Sequence, residues 1–235
     1  MCAPAQYGST VKLCMFHPLD QPMERGWPGR LDGDHVVQLA AQTLESFFTG
    51  GGTAREHAVY PLAAARLLAP VLHPPSIRVF DDQSTFWFAN PAAIVGPEAE
   101  IPARGDSAAL LPRIAAIVGA DGQIAGFTGF ADWRSGPVPP PKDRDFALGL
   151  GPLVVTPDEL SGEPTLVVHV DGDTRTFGDK DFDWEAARSL ATEGTRLRPG
   201  DILAGPVPGT VDPIVAGSTV ELEIEGIGSL RQRVR

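Results

Sequence analysis

Residues 198–206, Arg-Pro-Gly-Asp-Ile-Leu-Ala-Gly-Pro, and residues 217–231, Gly-Ser-Thr-Val-Glu-Leu-Glu-Ile-Glu-Gly-Ile-Gly-Ser-Leu-Arg, decide the fold of this 235-residue chain. In the second stretch Val220, Leu222 and Ile224 alternate with Glu221, Glu223 and Glu225, a period of two that predicts a strand with one buried and one solvated face. Gly226 and Gly228 then turn the chain back into Ser229 to Val234. The row of glutamates is read as a solvated face and is given no chemistry. In the first stretch Pro199-Gly200-Asp201 is a turn that feeds a short strand, Ile202 to Ala204.

Working outward, short apolar runs alternate with Gly, Pro and Asp turns from Ser76 onward. Ile114 to Val118, Ile124 to Phe130, Leu153 to Val155 and Leu166 to Val170 are expected strands, with Asp171-Gly172-Asp173 a hairpin turn. Asp183 to Ala191 is the one expected helix of this part, with Asp183 as N-cap. Before it, Val11 to Phe16 and His35 to Leu39 read as strands. Ala41, Leu44, Phe47 and Phe48 recur at helical spacing until Gly50-Gly51-Gly52 stops the helix. Ala-Pro-Val-Leu-His-Pro-Pro at 69–75 reads as an extended linker. It divides a small N-terminal α/β domain, 1–72, from a β-rich domain, 73–235. The fold class is therefore α+β and β-rich.

Apolar residues make up 43% of the chain and the formal charge is −11, which fits an ordinary globular protein and not a partner of nucleic acid or an anionic membrane. Lys12, Lys142 and Lys180 are its only lysines. The first residues show neither a basic leader nor an apolar span, so a cytoplasmic location is expected. Cys2 and Cys14 lack metal or redox spacing and are read as reduced, incidental thiols. His17, His35, His57, His73 and His169 show no mutual spacing and are expected on the surface or in turns.

The two opening stretches resemble the closing signature of the fumarylacetoacetate hydrolase superfamily. Asn90-Pro-Ala-Ala-Ile-Val-Gly-Pro, Phe127-Thr-Gly-Phe-Ala-Asp-Trp and Gly151-Pro-Leu-Val-Val-Thr-Pro-Asp-Glu-Leu occur in the family's order. Gly26-Trp-Pro-Gly-Arg-Leu-Asp-Gly-Asp is similar to its small N-terminal domain. The resemblance covers essentially the whole chain and implies a mixed β-roll or sandwich, a homodimer, and a small-molecule substrate of the diketo or enol-acid type. It also implies a divalent metal held by four carboxylates, because hard cations demand oxygen ligands.

Here the pattern departs from the family. Its first ligand, an Asp, aligns with Val79. The catalytic His that should follow falls on Phe86, after which the chain runs directly through Trp87-Phe88-Ala89 into Asn90. The paired glutamates before the Ile114 to Gly119 strand align with Leu111 and Arg113. Only the fourth ligand survives, as Asp132. The family's active-site Lys aligns with Arg144, and Lys142 lies two residues upstream. A guanidinium repels a metal ion and cannot coordinate one, so no metal and no cofactor is expected. Asp132 would pair with Arg113, or else merely satisfy a loop.

The expected catalytic set is Asp132, Arg113, Arg144 and Lys142, with Phe80, Leu111, Phe130 and Trp133 contacting the substrate. Three readings stay open. One is a repurposed enzyme acting without metal on an oxo or enol molecule, such as a cyclase or isomerase in natural-product biosynthesis. The second is a metal-dependent hydrolase or lyase cleaving a carbon–carbon bond, its ligands rebuilt from Asp81, Asp82, Glu98 or Glu100. The third is a non-catalytic binding protein that kept the fold.

Overall fold

The computed structural model describes residues 11–160, 162, 164–178 and 181–235. In chain order its strands are β1 (Lys12–Pro18), β2 (Trp27–Asp32), β3 (His35–Leu39), β4 (Glu56–Pro61), β5 (Ala65–Leu68), β6 (Ile77–Asp82), β7 (Thr85–Ala89), β8 (Ile94–Val95), β9 (Glu100–Ile101) and β10 (Ser107–Val118). They continue as β11 (Ile124–Arg134), β12 (Leu148–Leu150), β13 (Leu153–Val155), β14 (Leu166–Val170), β15 (Asp173–Phe177), β16 (Ile202–Ala204), β17 (Val211–Val215), β18 (Thr219–Ile224) and β19 (Gly228–Val234). Helix α1 (Leu44–Thr49) follows β3, and α2 (Trp184–Thr192) follows β15. The β-rich α+β class is thus the observed one. The strands form a 14-stranded sheet, whose main path runs β4-β3-β2-β1-β13-β11-β10-β16-β6-β7, and a five-stranded sheet ordered β15-β14-β18-β19-β9.

The long hairpin β10–β11 is the spine of the molecule. Its strands are buried on both faces from Pro112 to Val118 and from Gly126 to Trp133. On one face Ile114, Ala116, Phe127, Ala131 and Trp133 pack against Leu166, Val220, Leu222 and Ile224 of the second sheet. On the other, Ala115, Ile117 and Phe130 pack against Phe47, Phe48, Ile77 and Val79. Burying both faces of one hairpin is the main apolar gain that closes the two layers together.

The stretches that decided the fold behave as their chemistry requires. Val220, Leu222 and Ile224 are buried while Glu223 and Glu225 are exposed. Gly228, at φ +137, sits where a Cβ would lie 2.7 Å from Leu153 Cδ1. Gly200 takes φ +86, and Asp201 is buried beside it, its carboxylate accepting from the Arg198 N–H at 2.7 Å and the Ser76 hydroxyl at 2.7 Å. That turn seats β16 between β10 and β6. Gly205 is thereby brought against β10, where its N–H donates to the Ile114 carbonyl.

Asp183 caps α2 by accepting from the Glu185 and Ala186 N–H groups. Helix α1 begins later than expected, because Thr43 and Ser46 form a reciprocal capping box there. Strand β1 pairs with β13, so the N-terminal segment continues the large sheet; residues 69–76 carry no strand or helix. His17 is corrected: it is buried, with Nδ1 2.8 Å from the Pro18 carbonyl oxygen. Cys14 is also buried, and burial pushes its thiol up to about 12. Cys2 lies outside the described residues. Among the described residues no helix is long and apolar enough to cross a membrane.

Candidate functional site

Residues opposite one another in an antiparallel pair share a face. In β10–β11, Ala109 lies opposite Arg134, Leu111 opposite Asp132 and Arg113 opposite Phe130. Arg113, Asp132 and Arg134 therefore project from one face at successive pleats. Arg113 Nε and Nη2 each lie 3.1 Å from Asp132 Oδ2, and Arg134 Nη2 reaches the same oxygen at 2.7 Å. Arg113 Nη1 donates to the carbonyl oxygens of Phe80, at 3.1 Å, and Gly205, at 2.7 Å. The Pro-Gly-Asp turn thus matters to the site: it delivers the Gly205 carbonyl to the guanidinium.

The burial is extreme for charged groups, with side-chain exposures of 2% for Arg113, 0% for Asp132 and 13% for Arg134. Burial pulls the Arg113 guanidinium below its ordinary range, the Asp132 charge opposes that shift, and the like charge of Arg134 adds to it. It remains a cation, since arginine does not deprotonate in proteins. Satisfaction is lopsided. Asp132 Oδ2 accepts from Arg113 Nε and Arg134 Nη2, whereas Asp132 Oδ1 and Arg134 Nε and Nη1 are buried with no hydrogen-bond partner. Unpaired buried polar atoms are costly, which makes them pointers to missing hydrogen-bond partners.

Above this cluster lies Trp87, half-buried on β7 opposite Val79. The guanidinium carbons of Arg134 and Arg144 stand 5.1 and 5.4 Å from its ring centroid. Arg144 pairs with Asp143, with Nε 3.0 Å from Oδ1 and Nη2 2.9 Å from Oδ2. That pairing holds the Asp143 carboxyl below the usual range and raises Arg144. Arg134 also lines an open cleft of 770 Å³, whose walls include Ser107, Ala109, Pro137, Asp143 and Asp212.

The expected residues separate into two groups. Arg113, Asp132 and Arg144 belong to the cluster or its mouth, and Leu111 is half-buried opposite Asp132. Lys142 is tied elsewhere, its ammonium on Asp145. Phe80, Phe130 and Trp133 are fully buried core side chains. Trp133 projects from the opposite face of β11, where its indole N–H donates to Gln232 Oε1 at 2.8 Å. Arg134 and Trp87 were not singled out by the sequence. The period of two from Asp132 to Arg134 is the signal for the first; Trp87 has none.

The residues that the resemblance puts at the ligand positions do not fit a divalent cation. Val79 is buried in the core, Leu111 is apolar, and Asp132 Oδ2 is filled by guanidinium donors. The possible substitutes are dispersed. Asp82 accepts from Ser84, Glu100 pairs with Arg235 and Glu98 lies in a surface groove with Leu19. Asp81 is exposed at the end of β6, within the field of Arg113 and Arg144. Among the described residues no group of three metal-ligating side chains converges.

Residues 61–235 match the model of the fumarylacetoacetate (FAA) hydrolase C-terminal family. The chain belongs to this family. A search of curated proteins returned no match. Solved structures share the fold over nearly the whole length. Maleylpyruvate hydrolase from Sphingobium sp. SYK-6, in complex with manganese(II) ion and pyruvate, is 20% identical with a TM-score of 0.76 over 95% of this chain and 98% of that one. The 2-hydroxyhepta-2,4-diene-1,7-dioate isomerase of Mycobacterium marinum is 22% identical at TM-score 0.78, covering 96% and 98%. Fumarylacetoacetate hydrolase from psychrophilic Exiguobacterium antarcticum is 20% identical at TM-score 0.78, covering 96% and 99%.

Proposed function

We propose that this FAA-hydrolase-family chain is an enzyme that acts on a small oxo or enol acid without a divalent metal, by proton transfer beside a carbonyl, as in an isomerisation or cyclisation. The observation that carries this reading is the partner of Asp132: two guanidinium groups hold its Oδ2, while Oδ1 and two Arg134 N–H donors are left unpaired. An unpaired acceptor beside unpaired donors complements an enol acid, which brings both an O–H and an anionic oxygen. The hydrolase and isomerase names of the related folds support the same broad class.

In this scheme Asp132 Oδ1 takes a proton from the carbon next to the substrate carbonyl. The C–H electron pair becomes a C=C bond and the carbonyl π pair moves onto oxygen. Arg134 donates to that enolate oxygen, and Arg113 fixes the carboxylate through its bonds to Phe80 and Gly205. Returning the proton to another carbon gives an isomer; attack of the enolate carbon on an internal carbonyl carbon, whose π pair moves onto its oxygen and takes the proton back from Asp132, gives a ring. A buried, preorganised cation is worth more to a developing enolate than one in water.

A second reading, a non-catalytic binding protein, is favoured by one observation: Phe80, Arg113, Phe130 and Asp132 are all closed to solvent. Deuterium exchange into pyruvate, oxaloacetate and longer 2-oxo acids, followed by NMR in buffer containing a chelator, separates the readings. Exchange that falls about 100-fold or more in Asp132→Asn supports the enzyme. Exchange that disappears with chelator and returns with Mn²⁺ refutes metal independence. Wild-type protein inert to the whole panel favours the binding role.

A further inference from the structure

The geometry points to a carboxylate clamp built on Trp87, in which Arg134 and Arg144 hold the acid end of the ligand and Trp87 sets their spacing. This rests on the reading above that the ligand is a small oxo acid, and it names the groups that select it.

The guanidinium carbons of Arg134 and Arg144 lie 5.1 and 5.4 Å from one indole ring. Two like charges on one ring repel, and each is paired with a carboxylate: Arg134 at 2.7 Å with Asp132, which it shares with Arg113, and Arg144 at 2.9 Å with Asp143. Contact with the ring engages the cations through its π face and leaves their N–H edges free. Arg144 spends Nε and Nη2 on Asp143. Arg134 spends Nη2 alone, so its Nε and Nη1 remain buried and unused.

Holding two partly uncommitted forks over one ring fits a planar, two-oxygen acceptor. The charge fits as well. Arg113, Arg134 and Arg144 face Asp132 and Asp143, an excess of one positive charge that a carboxylate neutralises and a phosphate dianion would overshoot. Asp81 also acts on both Arg113 and Arg144, and it is exposed. It therefore competes with the ligand for the same cations. Arg134 also forms part of the 770 Å³ cleft with Ser107, Ala109 and Pro137, which gives room for the remainder of the molecule.

The test titrates pyruvate, oxalate and inorganic phosphate into the full-length protein by calorimetry and tryptophan fluorescence. Wild type is expected to bind both carboxylates with saturable quenching. Trp87→Leu is expected to abolish the quench and weaken oxalate about tenfold or more, and Arg134→Lys to weaken it similarly, since charge-assisted bonds carry that much. Asp81→Asn is expected to tighten it. Arg144→Gln, on a side chain 36% exposed, is the variant least exposed to folding failure, and it too is expected to weaken oxalate. Wild type that binds no carboxylate, unchanged oxalate affinity in Arg144→Gln and Trp87→Leu, or phosphate bound more tightly than oxalate would each overturn the clamp. Deuterium exchange that persists alongside unchanged affinities sinks the clamp alone. Intact carboxylate binding with no exchange in any oxo acid supports the clamp and sinks the catalytic reading.

Discussion

Replacing Arg113 by alanine tests whether the buried cluster is built as described. The guanidinium bridges Asp132 Oδ2 to the carbonyl oxygens of Phe80 and Gly205, and so ties β10 to β11, β6 and the end of β16. Removing one partner of a buried ion pair costs about 3–5 kcal/mol, because the other charge is left in a medium that solvates it poorly. Arg134 still reaches Asp132 at 2.7 Å, which places the loss at the lower end, about 3 kcal/mol. For a chain of this size each kcal/mol lowers the melting temperature by about 2–4 °C, so a fall of about 6–12 °C is expected. Calorimetric or circular-dichroism melts measure it, with Glu223→Ala, on the exposed strand face, as a control within about 0.5 kcal/mol of wild type. The triple variant Arg113→Met/Asp132→Leu/Arg134→Met, which leaves none of the three charges unpartnered, should recover stability relative to Arg113→Ala, since apolar isosteres of a buried ion-pair network are close to neutral. Arg113→Lys keeps the charge without the planar fork and should reduce turnover more than folding. An Arg113→Ala melt within about 2 °C of wild type, or a triple variant no more stable than the single one, would refute the reasoning.

Three further outcomes follow from particular groups. Asp183→Ala removes the α2 cap and should cost about 1 kcal/mol, while Asp183→Ser should restore most of it; chemical denaturation reads both. Cys14 should resist alkylation in the native protein at pH 8 and react fully in denaturant, as peptide mapping would show, because its buried thiol is pushed up to about 12. Asp143 is held below its usual range by Arg144, and a depressed carboxylate adds stability above its unfolded value that is lost as pH falls through the folded one. The melting gap between wild type and Asp143→Asn should therefore be widest near neutrality and close below about pH 4; a gap that widens in acid would contradict the pairing.

What the sequence revealed, and what it hid, has physical causes. The β18 hairpin was legible because one face is solvated, which enforces a period of two, and α2 because Asp183 marks its start. Strand β10 was read only from Ile114, although it begins at Ser107. Its first half carries Leu110-Leu111-Pro112, a run without alternation and with a residue that usually breaks pairing. Strand β2 was missed for a related reason: Pro28 and Gly29 look like a turn. Gly29 instead marks close packing, since a Cβ there would lie 2.6 Å from Val36 Cγ1. At the site, the pairing of Arg113 with Asp132 was implied by the family resemblance, and the β10–β11 hairpin is what brings the two together. Arg134 was passed over although its period of two with Asp132 was there to read, and Trp87 left no spacing at all, because a cation over a ring joins residues from distant strands. Phe80, Phe130 and Trp133 are buried in the core, and a strand buried on both faces does not disclose in its sequence which side opens to solvent.

In the proposed reading Arg113 stands where a divalent ion would otherwise neutralise Asp132. That reading is tested most directly by elemental analysis of the protein after equilibration with Mg²⁺, Mn²⁺ and Ca²⁺ and exhaustive dialysis. Less than about 0.1 divalent ion per chain is expected, because the cluster offers one carboxylate whose engaged oxygen is already filled by guanidinium donors. About one Mg, Mn or Ca per chain, lost on Asp132→Ala, would contradict the account and restore a metal-dependent mechanism.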